Sequence, residues 1–428
     1  MKLSYFLILT SIFLFSCSVS KQISKQADAY LLRDSAISTG HIGICIYEPA
    51  TGKYWYNYHA DKFFIPASNT KLFSLYAGMK YLGDSLPGFK YALINDTTVS
   101  ILPTGDPTFL HPDFKIQKGF DFLKKFKTIE IFPSIKDSRP SYGNGWAWND
   151  YLESYMPYRS NFPIYGNLAN FKLVNNHIDI SPSTLNSNFN RNIFSKNKFE
   201  IKSGFASNDF WTVEGTNTEQ AVPFYPELLL VAKMLTDTLK TNARVEFLFS
   251  GNNYKAFHSQ PSNSLFTLMM HRSDNFFAEQ TLLMASNEKL GFMSDSKMID
   301  YILQNDLKDI PQKPKWIDGS GLSRYNLFTP KDFVYILQKL KNDFGFDRMK
   351  MILPTGGTGT LSSLYKKDSG YIFAKTGTLS NNAALSGYLI TKRDRLLIFS
   401  IITNNFITAA TPVRKAVEKF LSNIRQRY

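Results

Sequence analysis

The sequence has few of the residues on which metal, redox and disulfide chemistry depend. Its 428 residues include two cysteines and six histidines, and the histidines show no metal-ligand spacing. We therefore expect no disulfide framework, no metal and no cofactor. Cys45 lies in an apolar segment with the pattern of a strand, which predicts a buried hydrophobic residue and not a nucleophile. The chain also contains no internal repeats.

Acidic residues are fewer than basic ones. The chain has 35 aspartates and glutamates against 49 lysines and arginines, which gives a formal net charge of +14. The lysines are scattered through predicted loops, and no basic cluster alternates with aromatic residues, so we expect no nucleic-acid partner. A solvated lysine-rich surface is the simplest interpretation, with association to anionic polymers or lipid head groups of a cell envelope as the alternative.

Three short motifs occur in an order that indicates acyl transfer through a serine ester. They are Ser68-Asn-Thr-Lys71, Ser273-Asp-Asn275 and Lys375-Thr-Gly-Thr378. They supply a hydroxyl nucleophile with an amine one turn away, a second hydroxyl with an amide, and a cationic, hydroxyl-rich strand. The first motif alone is not specific, because five other serines also have a lysine three residues on: Ser18, Ser195, Ser286, Ser294 and Ser363. The specificity comes from the order and the local structure.

The sequence around the first motif predicts a buried helix. Pro66 and Ala67 precede Ser68, and apolar residues then recur at helical spacing at Leu72, Leu75, Tyr76, Met79 and Leu82. Ser68 should therefore lie in the first turn of this helix, with Lys71 on the same face one turn later.

The two ends of the chain predict a single sheet. A strand at 371–374 leads into the third motif, and two apolar strands at 383–390 and 396–403 follow it. A hairpin at 41–58 lies near the N-terminus, and an amphipathic helix at 411–427 closes the chain. The fold class is therefore α+β, with one antiparallel sheet and helices packed on it. Between 86 and 258 the composition changes to short β-like runs, with an amphipathic helix at 227–239.

The ordered motifs resemble those of the serine D-alanyl-D-alanine peptidases and β-lactamases, the penicillin-recognising enzymes. The first two motifs lie 273 − 68 = 205 positions apart, more than a compact β-lactamase needs. A long insertion directly after the nucleophile helix is typical of the class C low-molecular-mass penicillin-binding proteins, the DD-carboxypeptidase/DD-endopeptidase group. Four further stretches match that group: 105–108, 145–151, 318–324 and 353–361.

The resemblance implies a β-lactamase/DD-peptidase-like domain with β-rich domains inserted after the nucleophile helix. We expect a signal segment at 1–17, a catalytic domain at 18–85 and 259–428, and inserted domains at 86–258. The implied substrates are peptidoglycan stem peptides ending in D-Ala-D-Ala, with β-lactams as suicide analogues. The expected activity is that of a carboxypeptidase, to which an endopeptidase activity on cross-bridges could be added.

The motif side chains have the groups that this chemistry needs. Ser68 would attack the carbonyl and Lys71 would accept its proton, which requires burial and a neighbouring cation such as Lys375 to lower the lysine pKa from near 10.4. Ser273 would pass the proton to the leaving amine, and Asn275 would orient Lys71 and the substrate amide. A helix N-cap role is the alternative for Ser273 and Asn275.

The third motif is expected to bind the substrate. Lys375, Thr376 and Thr378 would hold the terminal carboxylate of the peptide, and Gly377 would let the substrate approach the strand closely. The backbone N–H groups of Ser68 and Thr378 would form the oxyanion hole.

Three further residues are predicted to contact the substrate by the resemblance alone. Asp150, with the aromatic Tyr155 beside it, would bind the free amine of the stem-peptide side chain; the alternative is that Asp150 caps a helix beginning near Tyr151. Arg324 would lie near the substrate, or would form a plain surface ion pair. Trp146 and Trp148 are expected in the core of the insertion, with a sugar-stacking platform as the alternative.

The N-terminus predicts export. Lys2 and an apolar stretch at 3–15, too short to span a bilayer comfortably, indicate a signal peptide. Leu14-Phe-Ser-Cys17 resembles a bacterial lipobox, which implies lipidation of Cys17 and a protein of the periplasm or cell envelope anchored to a membrane; an ordinary cleaved signal peptide is the alternative.

Two other functions compete with the peptidase. A β-lactamase is disfavoured by the long insertion and by the lack of the Glu-x-x-Leu-Asn element that activates water in class A enzymes. A non-catalytic penicillin-binding sensor or scaffold is disfavoured because binding alone would not require Lys71.

Overall fold

The structure is a computed structural model that describes residues 19–133, 140–175, 177–190, 198–247 and 253–428. The predicted signal segment and Cys17 lie outside the described residues, so the lipobox stays a prediction. No helix in the described ranges is long and apolar enough to cross a membrane.

The described elements are sixteen strands and nine α-helices with bounds. The strands are β1 His41–Glu48, β2 Lys53–Tyr58, β3 Ser85–Asn95, β4 Thr98–Pro103, β5 Thr128–Ile131, β6 Leu168–Val174, β7 His177–Ser181, β8 Phe189–Asn190, β9 Phe199–Ser203, β10 Phe210–Glu214, β11 Glu219–Pro223, β12 Asn242–Val245, β13 Lys255–Pro261, β14 Ile372–Leu379, β15 Asn382–Ile390 and β16 Leu396–Asn404. The helices are α1 Lys71–Tyr81, α2 Lys118–Leu123, α3 Leu228–Leu239, α4 Ser262–His271, α5 Asn275–Leu290, α6 Asp295–Asn305, α7 Pro330–Phe344, α8 Phe346–Ile352 and α9 Ala410–Arg427.

The chain divides into two compact units. The first contains residues 19–76, 267–273 and 302–428, and the second contains 77–266 and 274–301. The second unit includes the predicted insertion at 86–258 and extends beyond it on both sides. The division of the chain into domains at residues 86 and 258 stays a prediction.

The first unit is built on one antiparallel sheet, with the strand order β14-β15-β16-β1-β2. The hairpin, the two apolar strands and the C-terminal helix predicted from the sequence are confirmed. β16 is the central strand, with β15 on one side and β1 on the other. It is apolar along nearly its whole length because residues 397–404 are buried on both faces of the sheet. The α+β fold class is confirmed.

The core of the first unit joins this sheet to both chain ends. Residues 19–27 are helical and contribute Ile23, while α9 contributes Val417 and Phe420 to the same buried cluster. Cys45 is fully buried in β1, and burial raises the pKa of its thiol to about 12. This confirms that Cys45 is a buried hydrophobic residue, since a thiol with that pKa is not a nucleophile at neutral pH.

The second unit is β-rich, as the sequence predicts for the insertion. It contains a five-stranded mixed sheet of order β12-β5-β4-β3-β13 and two three-stranded sheets of orders β8-β10-β9 and β11-β6-β7. The helix predicted at 227–239 is confirmed as α3, whose apolar face packs in the same core as the strands. β3 follows directly after α1, so the inserted strands begin where the nucleophile helix ends.

Candidate active site

Ser68 and Lys71 of the first motif form a hydrogen-bonded pair. A 3-10 turn, Ala67–Thr70, precedes α1 and places Ser68 at its head, where the side chain is half-buried. The Nζ atom of Lys71 lies 2.9 Å from the Ser68 Oγ atom. Ser68 was predicted in the first turn of a buried helix; it lies instead in the 3-10 turn that leads directly into that helix, and the spacing of three residues still explains the contact with Lys71.

A loop that follows α6 holds Lys71 from the other side. The Lys71 Nζ atom also donates to the carbonyl oxygen of Ser320, at 2.7 Å, and the lysine side chain is fully buried. Gly321 adopts a φ of +84°, and a Cβ atom there would lie 2.0 Å from the carbonyl oxygen of Ala67. Only glycine therefore lets this loop pack against the nucleophile turn.

Asp318 fixes the shape of that loop. Its buried carboxylate accepts hydrogen bonds from the backbone N–H groups of Gly321 and Ser323, at 2.9 and 2.7 Å, and from the Asn326 side chain at 2.7 Å. The Ser74 hydroxyl of α1 donates to the Gly319 carbonyl at 2.6 Å. The stretch 318–324 matches the resembled family, but nothing in its sequence indicates that its backbone contacts Lys71.

Lys375 of the third motif meets Ser273 of the second. The buried Lys375 Nζ atom donates to the Ser273 Oγ atom at 2.8 Å and to the Thr376 carbonyl at 2.7 Å. Burial lowers the pKa of Lys375 well below its ordinary value, and the positive charges of Lys71 and Arg414 lower it further. The first unit thus brings together Ser68, Lys71, Ser273 and Lys375.

Ser273 occupies a strained backbone conformation. Its φ is +59°, in the left-handed region that residues other than glycine seldom adopt. Such strain persists where the surrounding structure fixes a residue, and it is frequent at active sites.

Glycine is required at position 377 because another part of the chain packs closely against it. A Cβ atom at this position would lie 2.6 Å from the Pro66 carbonyl oxygen. The third-motif strand β14, at the edge of the sheet, therefore passes directly beside the nucleophile turn. We predicted glycine here for close approach of a substrate; the contact that the structure provides is with Pro66 and Asn69, on either side of Ser68.

Arg324 lies near the end of the third-motif strand. Its Nη1 atom is 3.5 Å from the carbonyl oxygen of Ser380, a weak contact at an exposed site. In the described part of the chain no carboxylate pairs with Arg324, and both its role near the substrate and the alternative of a surface ion pair stay predictions. Arg414, which sequence analysis missed, donates from Nη2 to the Thr378 hydroxyl.

In the second unit, Asn275 is the first residue of α5. The N-cap is Asp274, whose carboxylate accepts a hydrogen bond from the Phe277 N–H at 3.0 Å. The capping role considered for Ser273 and Asn275 therefore belongs to Asp274. The Asn275 side chain donates to the backbone carbonyl of Tyr155 at 2.9 Å.

Asp150 and Tyr155 lie together in the same unit. The Tyr155 hydroxyl bonds to the Asp150 carboxylate, and burial followed by that contact raises the pKa of Tyr155 to about 12. Asp150 ends a 3-10 turn, Trp148–Asp150, and residues 151–156 make turns. The alternative that Asp150 caps an α-helix beginning near Tyr151 is therefore wrong.

The two tryptophans of this segment differ from expectation. Trp148 is 75% exposed, so its assignment to the insertion core is wrong. Trp146 is partly buried, with the Arg159 guanidinium 5.7 Å from its ring centre. A residue beside a turn at the surface has few neighbours to cover it, and the aromatic composition of the segment does not reveal this.

Comparison with known proteins shows which family the chain resembles. The sequence profile of the D-Ala-D-Ala carboxypeptidase 3 (S13) family matches residues 23–427. A penicillin-sensitive carboxypeptidase A from Dictyostelium discoideum is 27% identical over 191 residues, which are 40% of this chain and 36% of that protein. Carboxypeptidase DacB from Mycolicibacterium smegmatis is also 27% identical over 191 residues, 41% of this chain and 40% of that protein. The alignments thus span well under half of these relatives.

Solved structures share the fold over nearly the whole chain. Penicillin binding protein 4 from Haemophilus influenzae superimposes with a TM-score of 0.73 at 19% identity, covering 94% of this chain and 99% of that one. A predatory endopeptidase from Bdellovibrio bacteriovorus gives a TM-score of 0.52 at 13% identity, covering 91% and 96%. In the described residues no group of three or more histidines, cysteines and carboxylates could hold a metal ion.

Proposed function

This chain belongs to the D-Ala-D-Ala carboxypeptidase 3 (S13) family, and we propose that it is a serine-type D-Ala-D-Ala carboxypeptidase acting on peptidoglycan stem peptides. The observation that supports this most directly is the cluster in the first unit. A serine hydroxyl bonds to a fully buried lysine, and a second buried lysine bonds to a second serine. The family membership supplies the substrate class, and the cluster supplies the chemistry.

Acylation begins at Ser68. In its neutral form, the Lys71 amine accepts the Ser68 proton while the oxygen attacks the carbonyl of the penultimate D-alanine. The Ser320 carbonyl, 2.7 Å from Nζ, keeps the amine directed at Ser68. The peptide C–N bond breaks as the ester forms, and D-alanine leaves. Water then hydrolyses the ester and returns a proton to Ser68.

The leaving amine requires a proton, and Ser273 is the proposed carrier: it gives its own proton to the nitrogen and takes up the one that Lys71 received from Ser68. Its oxygen accepts a hydrogen bond from the Lys375 Nζ atom, so its own hydrogen is free to be donated. Lys375, Thr376 and Thr378 bind the terminal carboxylate, and the backbone N–H groups of Ser68 and Thr378 form the oxyanion hole. The role of Asn275 in orienting the substrate amide rests on the ordered motif.

Two assays in sequence test the proposal. A fluorescent penicillin labels the purified protein on a gel, and the release of D-alanine from a peptide ending in D-Ala-D-Ala is then timed. A stable label with D-alanine release supports the carboxypeptidase. Rapid loss of the label would indicate a β-lactamase, and a stable label without turnover would indicate a sensor. Release of cross-linked dimers from peptidoglycan would add an endopeptidase activity.

We further propose that Asp150 selects substrates with a free amine on the diamino acid of the stem peptide. The supporting observation is the pairing of its carboxylate with the Tyr155 hydroxyl, with Tyr155 itself 45% exposed. A charge-assisted contact of this kind is worth roughly 1.5 to 3 kcal/mol.

The Asp150→Asn variant should therefore lose about tenfold or more in turnover of peptides with the free amine. Turnover of acetylated peptides and penicillin acylation should change little. Glu153→Gln, which removes an exposed carboxylate three residues on, is the matched control. An equal loss on both peptides in Asp150→Asn would contradict the amine-binding role.

Finally, we propose that the protein is exported to the cell envelope and lipidated at Cys17. Each methylene of a buried acyl chain contributes about 0.8 kcal/mol to membrane binding. Cys17→Ser should therefore move the protein from a detergent-extracted fraction to a soluble exported one, whereas the neighbouring Ser18→Ala should not. If the wild-type protein incorporated no labelled fatty acid, the alternative of an ordinary cleaved signal peptide would be favoured.

A further inference from the structure

An arginine of the C-terminal helix contacts the third motif. The Nη2 atom of Arg414 donates to the Thr378 hydroxyl, at the edge of the sheet where Thr378 is exposed. Arg414 is half-buried in the second turn of α9. Neither the motifs nor the family resemblance pointed to this residue.

Arg414 has no carboxylate partner in the described ranges of the chain. Glu418, one turn further along α9, would be the usual partner on a helix. Its Oε1 atom instead accepts a hydrogen bond from the backbone N–H of Tyr365. The guanidinium therefore directs one donor to a threonine hydroxyl and keeps others available, because arginine has five N–H donors.

Positively charged side chains lie on both faces of β14, Arg414 on one and Lys375 on the other. Side chains alternate along a strand, so Thr376 and Thr378 share one face. Thr376 and Arg414 line a common cavity of about 20 Å³, which places both side chains on that face. Lys375 and Gly377 share the other face, towards Ser273 and Pro66. The lowered pKa of Lys375, to which Arg414 contributes, agrees with two positive charges close together.

We propose that Arg414 is a specificity-determining residue that binds the terminal carboxylate of the substrate together with Thr376 and Thr378. This rests on the proposed function and deepens it. Two unpaired donors of a planar guanidinium match the two oxygens of a carboxylate. A blocked or amidated C-terminus lacks that charge, so Arg414 would favour a free C-terminal D-alanine over a blocked one.

The direct test measures binding without turnover. In the Ser68→Ala protein, the affinity for a peptide ending in D-Ala-D-Ala is compared with the affinity for its C-terminal amide by calorimetric titration. Adding Arg414→Gln should weaken binding of the free acid roughly tenfold to a hundredfold and leave the amide within about threefold. Adding Lys415→Gln, which removes the same charge from the next, exposed residue of α9, should change neither.

Turnover by the otherwise wild-type protein gives a second readout. Arg414→Gln should raise KM for the free acid with little change in kcat, because the carboxylate is bound equally before and during the reaction. Arg414→Lys keeps the charge and loses the planar pair of donors, so its KM for the free acid should lie between those of the wild type and Arg414→Gln. Thermal unfolding of each variant shows whether it is folded.

Three outcomes would overturn the proposal. Arg414→Gln could weaken binding of the acid and the amide equally, or it could leave both affinities unchanged. Alternatively, Lys415→Gln could weaken binding of the free acid as much as Arg414→Gln does. If the unmodified protein takes no penicillin label and releases no D-alanine, the proposed function fails, while the binding comparison in the Ser68→Ala protein still decides the role of Arg414.

Discussion

Replacing Ser68 with alanine should abolish covalent labelling by penicillin and all release of D-alanine. The substitution removes one half-buried oxygen at the head of α1, and with it the only atom proposed to form the acyl-enzyme bond. Lys71 keeps its contact with the Ser320 carbonyl, so the loss of one hydrogen bond should cost the fold about 1 kcal/mol. The measurements are gel fluorescence after incubation with labelled penicillin, mass spectrometry of the intact protein, and thermal unfolding.

The chain provides its own control for this variant. Ser363 also has a lysine three residues on and is exposed, yet within the described residues no lysine donates a hydrogen bond to it. Ser363→Ala should therefore label like the wild type. Penicillin found on another serine of the Ser68→Ala protein would mean that the nucleophile had been wrongly assigned.

Replacing Lys71 with methionine should slow acylation by roughly a hundredfold to ten-thousandfold at neutral pH. Methionine fills much of the buried space and cannot accept a proton, whereas alanine would also leave a cavity. Lys71→Arg, which keeps a permanent positive charge, should be as slow as the methionine variant because a guanidinium does not deprotonate. Stopped-flow acylation by a chromogenic β-lactam measures the rate.

These two replacements separate a base from a structural cation. If Lys71→Arg acylated within a few-fold of the wild type, a positive charge and not a proton acceptor would be the requirement, and another base would have to be sought. If both variants acylated slowly and both kept the unfolding temperature of the wild type, the loss of proton transfer would account for the slower acylation.

Local patterns were enough to predict much of the first unit. The helical spacing after Ser68 predicted α1, and alternating or continuous apolar runs predicted β1, β2, β15 and β16. The pair of Ser68 and Lys71 followed from the rise of one helical turn. These are features that depend on neighbours in sequence.

The missed parts of the site depend on residues far apart in the chain. The partner of Lys71 is a backbone carbonyl 249 positions away, and any residue type supplies a carbonyl. Arg414 belongs to a helix whose sequence shows only amphipathic spacing, and its contact with Thr378 depends on how that helix lies on the sheet. Trp148 was misplaced for the same reason, because aromatic composition does not report exposure.

The discontinuity of the first unit also bears on how the protein is made. The second unit lies wholly between residues 77 and 301, so all of it emerges from the ribosome before residues 302–428 of the first unit. β1 cannot pair with β16, and Lys71 cannot bond to the Ser320 carbonyl, until these later residues have been synthesised. Closing such distant contacts is slow, and an unfinished sheet edge is prone to aggregation. A truncated chain would therefore contain Ser68 but lack the surroundings that make it reactive.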